Sequence, residues 1–326
     1  MMNLSRNRIV TALLASLVLA SCRGVAPVSS GNAGPAQNER AANANLRIVT
    51  DDLGRSISVP AKVTRVVSTA PSVTENIFAV GAGDRLIGVT TFCDYPEAAK
   101  SVAKIGDTMN PNIESIVALK PDIVFVSTAS QIEAFMKTLE QNGIAVYVMN
   151  PNSIGSVIDL LETLATIFGT EVGAKESIDR LKQRWAAVNA VTLKSRLDPG
   201  HEIDFYKVTP IKVFVQISRE PLFTVGKSAF LTDIVVSAGG KSVTANIGTA
   251  FPKLSKETAL ALNPEVIILS DSPDNQEPNE VFKNSPAVKN GRVYKIDADL
   301  LSRPGPRLVD ALEQIAKYLH PEKFSE

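Results

Sequence analysis

The chain has 326 residues, with 34 basic and 34 acidic side chains, 44 % hydrophobic and 21 % charged residues. This length and composition allow two globular domains with substantial cores. Zero formal charge and the lack of any Lys or Arg run exclude nucleic acid as the main partner, because phosphate binding needs a basic excess or stripe.

Residues 1–21 read as a leader. Arg6 and Arg8 form a basic start, and residues 10–20 form an apolar run too short to span a bilayer. The run ends in Leu19-Ala20-Ser21-Cys22. Small residues directly before a Cys resemble a bacterial lipobox, in which the Cys is lipidated and becomes the new N-terminus; the other reading is an ordinary signal peptide with an incidental Cys. Lipidation of Cys22 predicts an exported protein, anchored to the cell membrane and facing the periplasm or the cell exterior. Several acyl chains on one residue anchor firmly. Residues 22–45 are rich in Ala, Gly, Ser, Asn and Gln and read as a flexible tether. Cys93 is then the remaining thiol, and it reads as a small buried residue rather than a nucleophile.

From residue 46 short apolar runs alternate with helical periodicity. Strands are expected at 63–68, 86–90, 123–126 and 145–149, and helices at 72–80, 113–119, 132–141 and 153–168. This βαβα order implies a mostly parallel sheet covered by helices, the first lobe, over 46–170. Residues 171–196 keep helical spacing through Ile178, Leu181, Trp185 and Val188, and stop at Leu197-Asp198-Pro199-Gly200. This long helix, within a connecting segment at 171–198, reads either as a stiff spacer or as a peripheral helix of one domain. A second lobe over 199–326 repeats the alternation, with strands at 212–217, 266–270 and 293–296 and helices at 229–238, 256–262 and 307–319.

One segment occurs twice. Glu114 opens ESIVALKPDIVFVS and Glu257 opens ETALALNPEVIILS, with Glu, Ala, Leu, Pro and Ser shared in register. The copies are too far apart for a solenoid repeat and suit two matched lobes with a cleft between them. Catalytic and nucleotide signatures fail. Gly81-Ala82-Gly83 follows a helix and reads as a cap; Gly226-Lys227-Ser228 has Pro221, and Gly240-Lys241-Ser242 has Val235, where a phosphate loop needs Gly. There is no G-x-S-x-G. The two histidines, His201 and His320, stand in no relay or metal-binding spacing. The chain is not read as an enzyme, and no resident cofactor or metal is expected; a surface-tethered hydrolase is the remote alternative.

Polar and aromatic residues instead cluster just after strands: Pro71 and Ser72, Phe92 to Pro96, Thr128, Ser218-Arg219, Ser270-Asp271, and Arg303 to Arg307. Ligands of open α/β sheets bind beyond the carboxyl ends of strands. The segments Ala70 to Glu75, Phe92 to Pro96, Asn112 to Asp122, Pro221 to Gly226 and Arg303-Pro304-Gly305-Pro306-Arg307 resemble periplasmic binding proteins of the helical-backbone class, over roughly 280 residues. That family delivers cobalamin, ferric siderophores or haem to ABC importers. The resemblance implies two Rossmann-like lobes with mostly parallel sheets joined by one long backbone helix, acting as a monomer. The Asp94-Tyr95-Pro96 loop is most similar to cobalamin-binding members, which grip the corrin edge with aromatic residues from both lobes. Phe92 and Phe251 match such positions, and Thr108 falls where those members can carry a Trp. The ligand-binding set implied is Pro71, Ser72, Phe92, Asp94, Tyr95, Thr108, Thr128, Arg219, Phe251 and Arg303, for cobalamin or another metal chelate. Arg219 and Arg303 would favour an acidic chelate such as a ferric siderophore, and haem would look to Tyr95 as its axial ligand.

Glu114 and Glu257 each stand in the first turn of a helix, after Asn112 and Ser255. A carboxylate there is favoured by the helix dipole by about 0.3–1 kcal/mol, which is a sufficient structural reason for both. The resemblance implies a second role, in which one Glu per lobe projects from the surface and pairs with arginines of the ABC permease.

Overall fold

The computed structural model describes residues 46–128, 132–194 and 210–324. The expected leader, Cys22, the tether, the turn at 197–200 and His201 lie outside them. Strands β1 (Leu46–Thr50) and β2 (Ser56–Pro60) form an antiparallel ribbon. This pair adds to the expected elements, although LRIVT and SISVP carry the period-two alternation of strands. The Asp51 carboxylate closes its turn by accepting from the Leu53 and Arg55 amides at 3.1 and 2.8 Å.

The first lobe continues with β3 (Val66–Ser68), α1 (Pro71–Ala79), β4 (Leu86–Val89), α2 (Ile113–Ala118), β5 (Ile123–Ser127), α3 (Ile132–Gln141), β6 (Ala145–Met149) and α4 (Ile154–Phe168). Its sheet runs β4-β3-β5-β6, every pair parallel. The continuous apolar runs IVFVS and AVYVM suit strands covered on both faces. Phe125 centres the packing, with Tyr147 and Phe168 at ring distances of 5.3 and 5.7 Å. Helix α1 starts with Pro71 at its first position and ends before Gly81, whose φ of +74° is the left-handed turn that expels the chain from the helix. The Arg47 guanidinium donates to the carbonyls of Thr166 and Ile167 in the last turn of α4 and so pins the ribbon to the lobe.

Helix α5 (Glu171–Lys194) has 24 residues, about 36 Å at 1.5 Å per residue. It packs on α4 of the first lobe and on α10 of the second. The second lobe contains β7 (Ile211–Ser218), β8 (Phe223–Thr224), α6 (Phe230–Ser237), β9 (Gly240–Ser242), α7 (Lys256–Leu262), β10 (Val266–Asp271), α8 (Pro286–Lys289), β11 (Val293–Asp297), α9 (Ala298–Ser302), α10 (Leu308–Leu319) and α11 (Pro321–Phe324). Its sheet runs β11-β10-β7-β8, with β9 also paired to β7; only the short β8 is antiparallel. Arg184 of α5 reaches Asp310 and Glu313 of α10 at 2.6 and 2.8 Å. The fold is thus the expected one: two α/β lobes with mostly parallel sheets and one long helix spanning them. Among the described residues no helix is long and apolar enough to cross a membrane.

His320 caps α10 at 9 % exposure with its imidazole against Gly239, and its Nε2 finds no hydrogen-bond partner among the described residues. Burial pushes its pKa below the ordinary histidine value; Glu322 opposes this and Lys323 adds to it. The folded chain therefore holds this imidazole neutral. As pH falls through the usual histidine range toward the lower folded value, the unfolded chain binds a proton that the folded chain refuses, and stability is lost. Thermal melting at about pH 7.5 and about pH 5.5 checks this. Wild type is expected to lose more melting temperature on acidification than His320→Gln, and equal losses would refute the assignment.

Candidate functional site

A cavity of about 740 Å³ opens between the lobes at the carboxyl ends of the strands. The first lobe supplies Ala70, Pro71 and Ser72 from the start of α1, Thr108 from the segment before α2, Ser127 and Thr128 at the end of β5, and Met149 with Asn150 at the end of β6. The second lobe supplies Ile217 near the end of β7, Ser270 within β10, and the α9 end with Ser302 and Arg303. The closing serines of the duplicated segment, Ser127 and Ser270, therefore face each other's lobe across one space. Thr128 donates its hydroxyl to the Asn150 side-chain oxygen at 2.6 Å, which fixes both groups on the wall.

Phe92 and Phe251 stand on opposite rims, 59 % and 49 % exposed, one from each lobe. A large apolar ring left about half in water on a cleft rim has a face available to a ligand. Of the ten residues implied as ligand-binding, seven line the cavity: Pro71, Ser72, Phe92, Thr108, Thr128, Phe251 and Arg303.

The other three stand elsewhere. Arg219 lies off the wall, bound to Glu277 at 3.3 Å, and its carbonyl accepts from the Asn279 side chain at 2.8 Å. Tyr95 lies beneath the Arg307 guanidinium, 4.2 Å from the ring centre. Asp94 is tied to Arg303 at 2.7 Å. Burial opposes its ionisation, but the hydrogen bond and charge of Arg303, with Arg307 behind, outweigh it and hold the carboxyl below its ordinary range. Cys93, next to it, is 1 % exposed, with the Thr74 and Thr90 hydroxyls 3.1 Å from its sulfur.

The network around Glu75 goes beyond the sequence reading. Glu75, 3 % exposed on α1, accepts from Arg303 Nη1 at 3.0 Å and from Arg307 Nε and Nη2 at 2.8 and 2.6 Å. Its neighbour Asn76 donates to the Pro304 carbonyl at 3.2 Å. The two lobes are thus bonded to each other behind the cavity. On α1, Val73 and Ile77 pack in the core, and Glu75 and Asn76 on another face are just as buried, which the sequence alone does not record.

Glu114 and Glu257 are exposed, away from the cavity wall, in the first turns of α2 and α7. Asn112 caps α2 by accepting from the Ser115 amide at 2.8 Å, and Ser255 caps α7 by accepting from Thr258 at 3.2 Å. Hydrogen bonds from its own amide and from Ser255 hold the Glu257 carboxyl below the usual value. Neither glutamate is ion-paired among the described residues.

Comparison with known proteins agrees with this geometry. Residues 66–300 match the family described as periplasmic binding protein. The chain is 30 % identical, over 96 % of both chains, to the uncharacterized ABC transporter substrate-binding lipoprotein YvrC of Bacillus subtilis. It is 29 % identical to a vitamin B12-binding protein of Vibrio cholerae, over 81 % of this chain and 91 % of that one. The crystal structure of the periplasmic vitamin B12 binding protein BtuF of Vibrio cholerae superposes with a TM-score of 0.67 at 25 % identity, covering 81 % of this chain and 99 % of that one. The periplasmic heme-binding protein RhuT from Roseiflexus, 21 % identical with a TM-score of 0.66 over 80 % of this chain and 99 % of its own, shares the fold. This chain belongs to the periplasmic binding protein family, whose members bind substrates and are not enzymes.

Proposed function

We propose that this chain is the substrate-binding protein of an ABC importer and that its cargo is cobalamin or a related corrinoid. The carrying observation is the cavity wall: an aromatic ring from each lobe at the rim, uncharged hydroxyl and amide groups inside, and, among the described lining residues, only Asp299 and Arg303 charged, paired at 2.7 Å. A corrin offers an apolar ring edge and amide-bearing arms, which such a wall can grip and hydrogen-bond. The vitamin B12-binding relatives support the reading. Haem, the same-fold alternative, asks for an axial ligand and for cations facing its carboxylates. Among the described lining residues none is His, Cys or Tyr, the Met149 thioether is buried at 2 % exposure, and Arg303 is already held by carboxylates. Ferric siderophores of acidic type meet the same obstacle. Tethering through a lipidated Cys22, action as a monomer, and docking on the permease through Glu114 and Glu257 complete the proposal.

Calorimetry and thermal melting with cyanocobalamin test it. Ligand at a hundredfold its Kd is expected to stabilise the fold by about 2.7 kcal/mol, seen as a raised melting temperature. No heat and no shift at tens of micromolar ligand would remove cobalamin as the cargo.

A further inference from the structure

Arg303 is an unusual wall residue for a site that takes an uncharged ligand. A guanidinium on a cavity surface is a ready partner for carboxylates, which it binds in forked geometry. Here both of its terminal nitrogens are already occupied. Nη1 binds Glu75 Oε1 at 3.0 Å and Asp94 Oδ1 at 2.7 Å, and Nη2 binds Asp299 Oδ1 at 2.7 Å. The second guanidinium of the cluster, Arg307, lies off the wall, forked onto Glu75 and stacked over Tyr95. Three carboxylates against two guanidiniums leave the cluster one negative charge in excess. Asp297 lies close enough to add its own charge to the field at Asp299.

We propose that Glu75, together with Asp94, is a specificity-determining residue acting through Arg303: it cancels the guanidinium charge toward the cavity, so that macrocycles bearing carboxylates are excluded and those bearing amides are admitted. The proposal rests on the corrinoid reading above and names the feature of the cargo that is selected. Glu75 does not line the cavity; its side chain is 2 % exposed. It acts as a positioning residue, fixing Arg303 across the lobe junction. An arriving carboxylate would have to displace one of three preformed charge-assisted bonds, or sit unpaired against Asp299 and Asp94. Like charges brought together in a partly dry site repel strongly. An amide arm meets no such barrier and finds Ser72, Thr108, Thr128 and Asn150 as partners.

The test uses two probes with one macrocycle, dicyanocobinamide with amide arms and dicyanocobyrinic acid with carboxylate arms, titrated calorimetrically into wild type, Glu75→Gln and Asp94→Asn. Wild type is expected to bind the amide probe at least about tenfold more tightly than the acid. Glu75→Gln should narrow that ratio by about tenfold through tighter binding of the acid, and the gain should shrink in about 0.5 M salt. A purely structural role for Glu75 would weaken both probes alike and leave the ratio and its salt dependence unchanged. Glu75→Gln risks misfolding, since it leaves two buried arginines underpaired. Asp94→Asn keeps the test open: its carboxylate is 52 % exposed, and its loss removes one of the two carboxylates on Arg303 Nη1 while Glu75 stays bound, for a smaller shift of the same sign. An unchanged ratio in the folded variants overturns the proposal. If wild type binds neither corrinoid, the cargo assignment falls separately. The charge assignment is then read with a dicarboxylate porphyrin, where tighter binding by either variant supports it and no gain overturns it.

Discussion

Charge reversal at both lobe glutamates, E114K with E257K, is expected to reduce import through the cognate permease to background while the Kd for ligand stays within about twofold of wild type. Both carboxylates lie on exposed first turns, outside the cavity wall, so neither can reach the cargo. Paired charges on a docking surface set register and steer encounter more than they add affinity. Opposite signs at two separated points therefore forbid the productive orientation. The cost to the fold is small. Each substitution forfeits a favourable helix-dipole contact and introduces an unfavourable one, about 0.3–1 kcal/mol apiece, and the capping bonds of Asn112 and Ser255 remain. Uptake of labelled cobalamin, with Kd measured on purified protein, separates the outcomes. A parallel fall in affinity would place the glutamates in the fold or the cleft, and undiminished uptake would remove them from docking.

The second large effect concerns the rim. Phe92→Ala with Phe251→Ala is expected to weaken cobalamin binding by about 10²–10³-fold: each ring can give up on the order of 80 Å² to a ligand, about 2 kcal/mol at the usual area coefficient. Because both rings are already about half exposed, their loss opens no core cavity, and the melting temperature of the ligand-free protein should barely move. Calorimetry on the double variant and each single variant checks this. A change in Kd below about fivefold would show that the ligand does not lie between the two rings.

The alternation of apolar runs and helices located the longer strands and helices of both lobes to within about three residues, because burial on both faces of a parallel sheet writes continuous β-branched runs into the chain; it did not locate the β1–β2 ribbon or the short helices α8, α9 and α11. Short edge pieces such as β8 and β9 carried no such run, since their neighbours rather than their own side chains hold them. The ring of residues after the strands was legible as a group. The direction of each side chain was not. Arg219 follows a strand as a wall residue should, yet it turns to Glu277 on the neighbouring loop. The Glu75 network was invisible for another reason: its partner Arg303 is 228 positions away, and no local period records a bond made across a lobe junction.

The duplicated segment joins, in each lobe, an outward acid to an inward hydroxyl through one helix turn and one buried strand. Strands β5 and β10 are the central members of their sheets, paired on both sides, and so move with their lobes as rigid bodies. A rocking of one lobe about α5 that carries these strands with it would move Ser127 relative to Ser270 and Glu114 relative to Glu257 together. Under such a motion the width of the mouth and the spacing of the two outer charges would be one mechanical coordinate, and a surface matched to the spacing of the acids would read how wide the mouth stands.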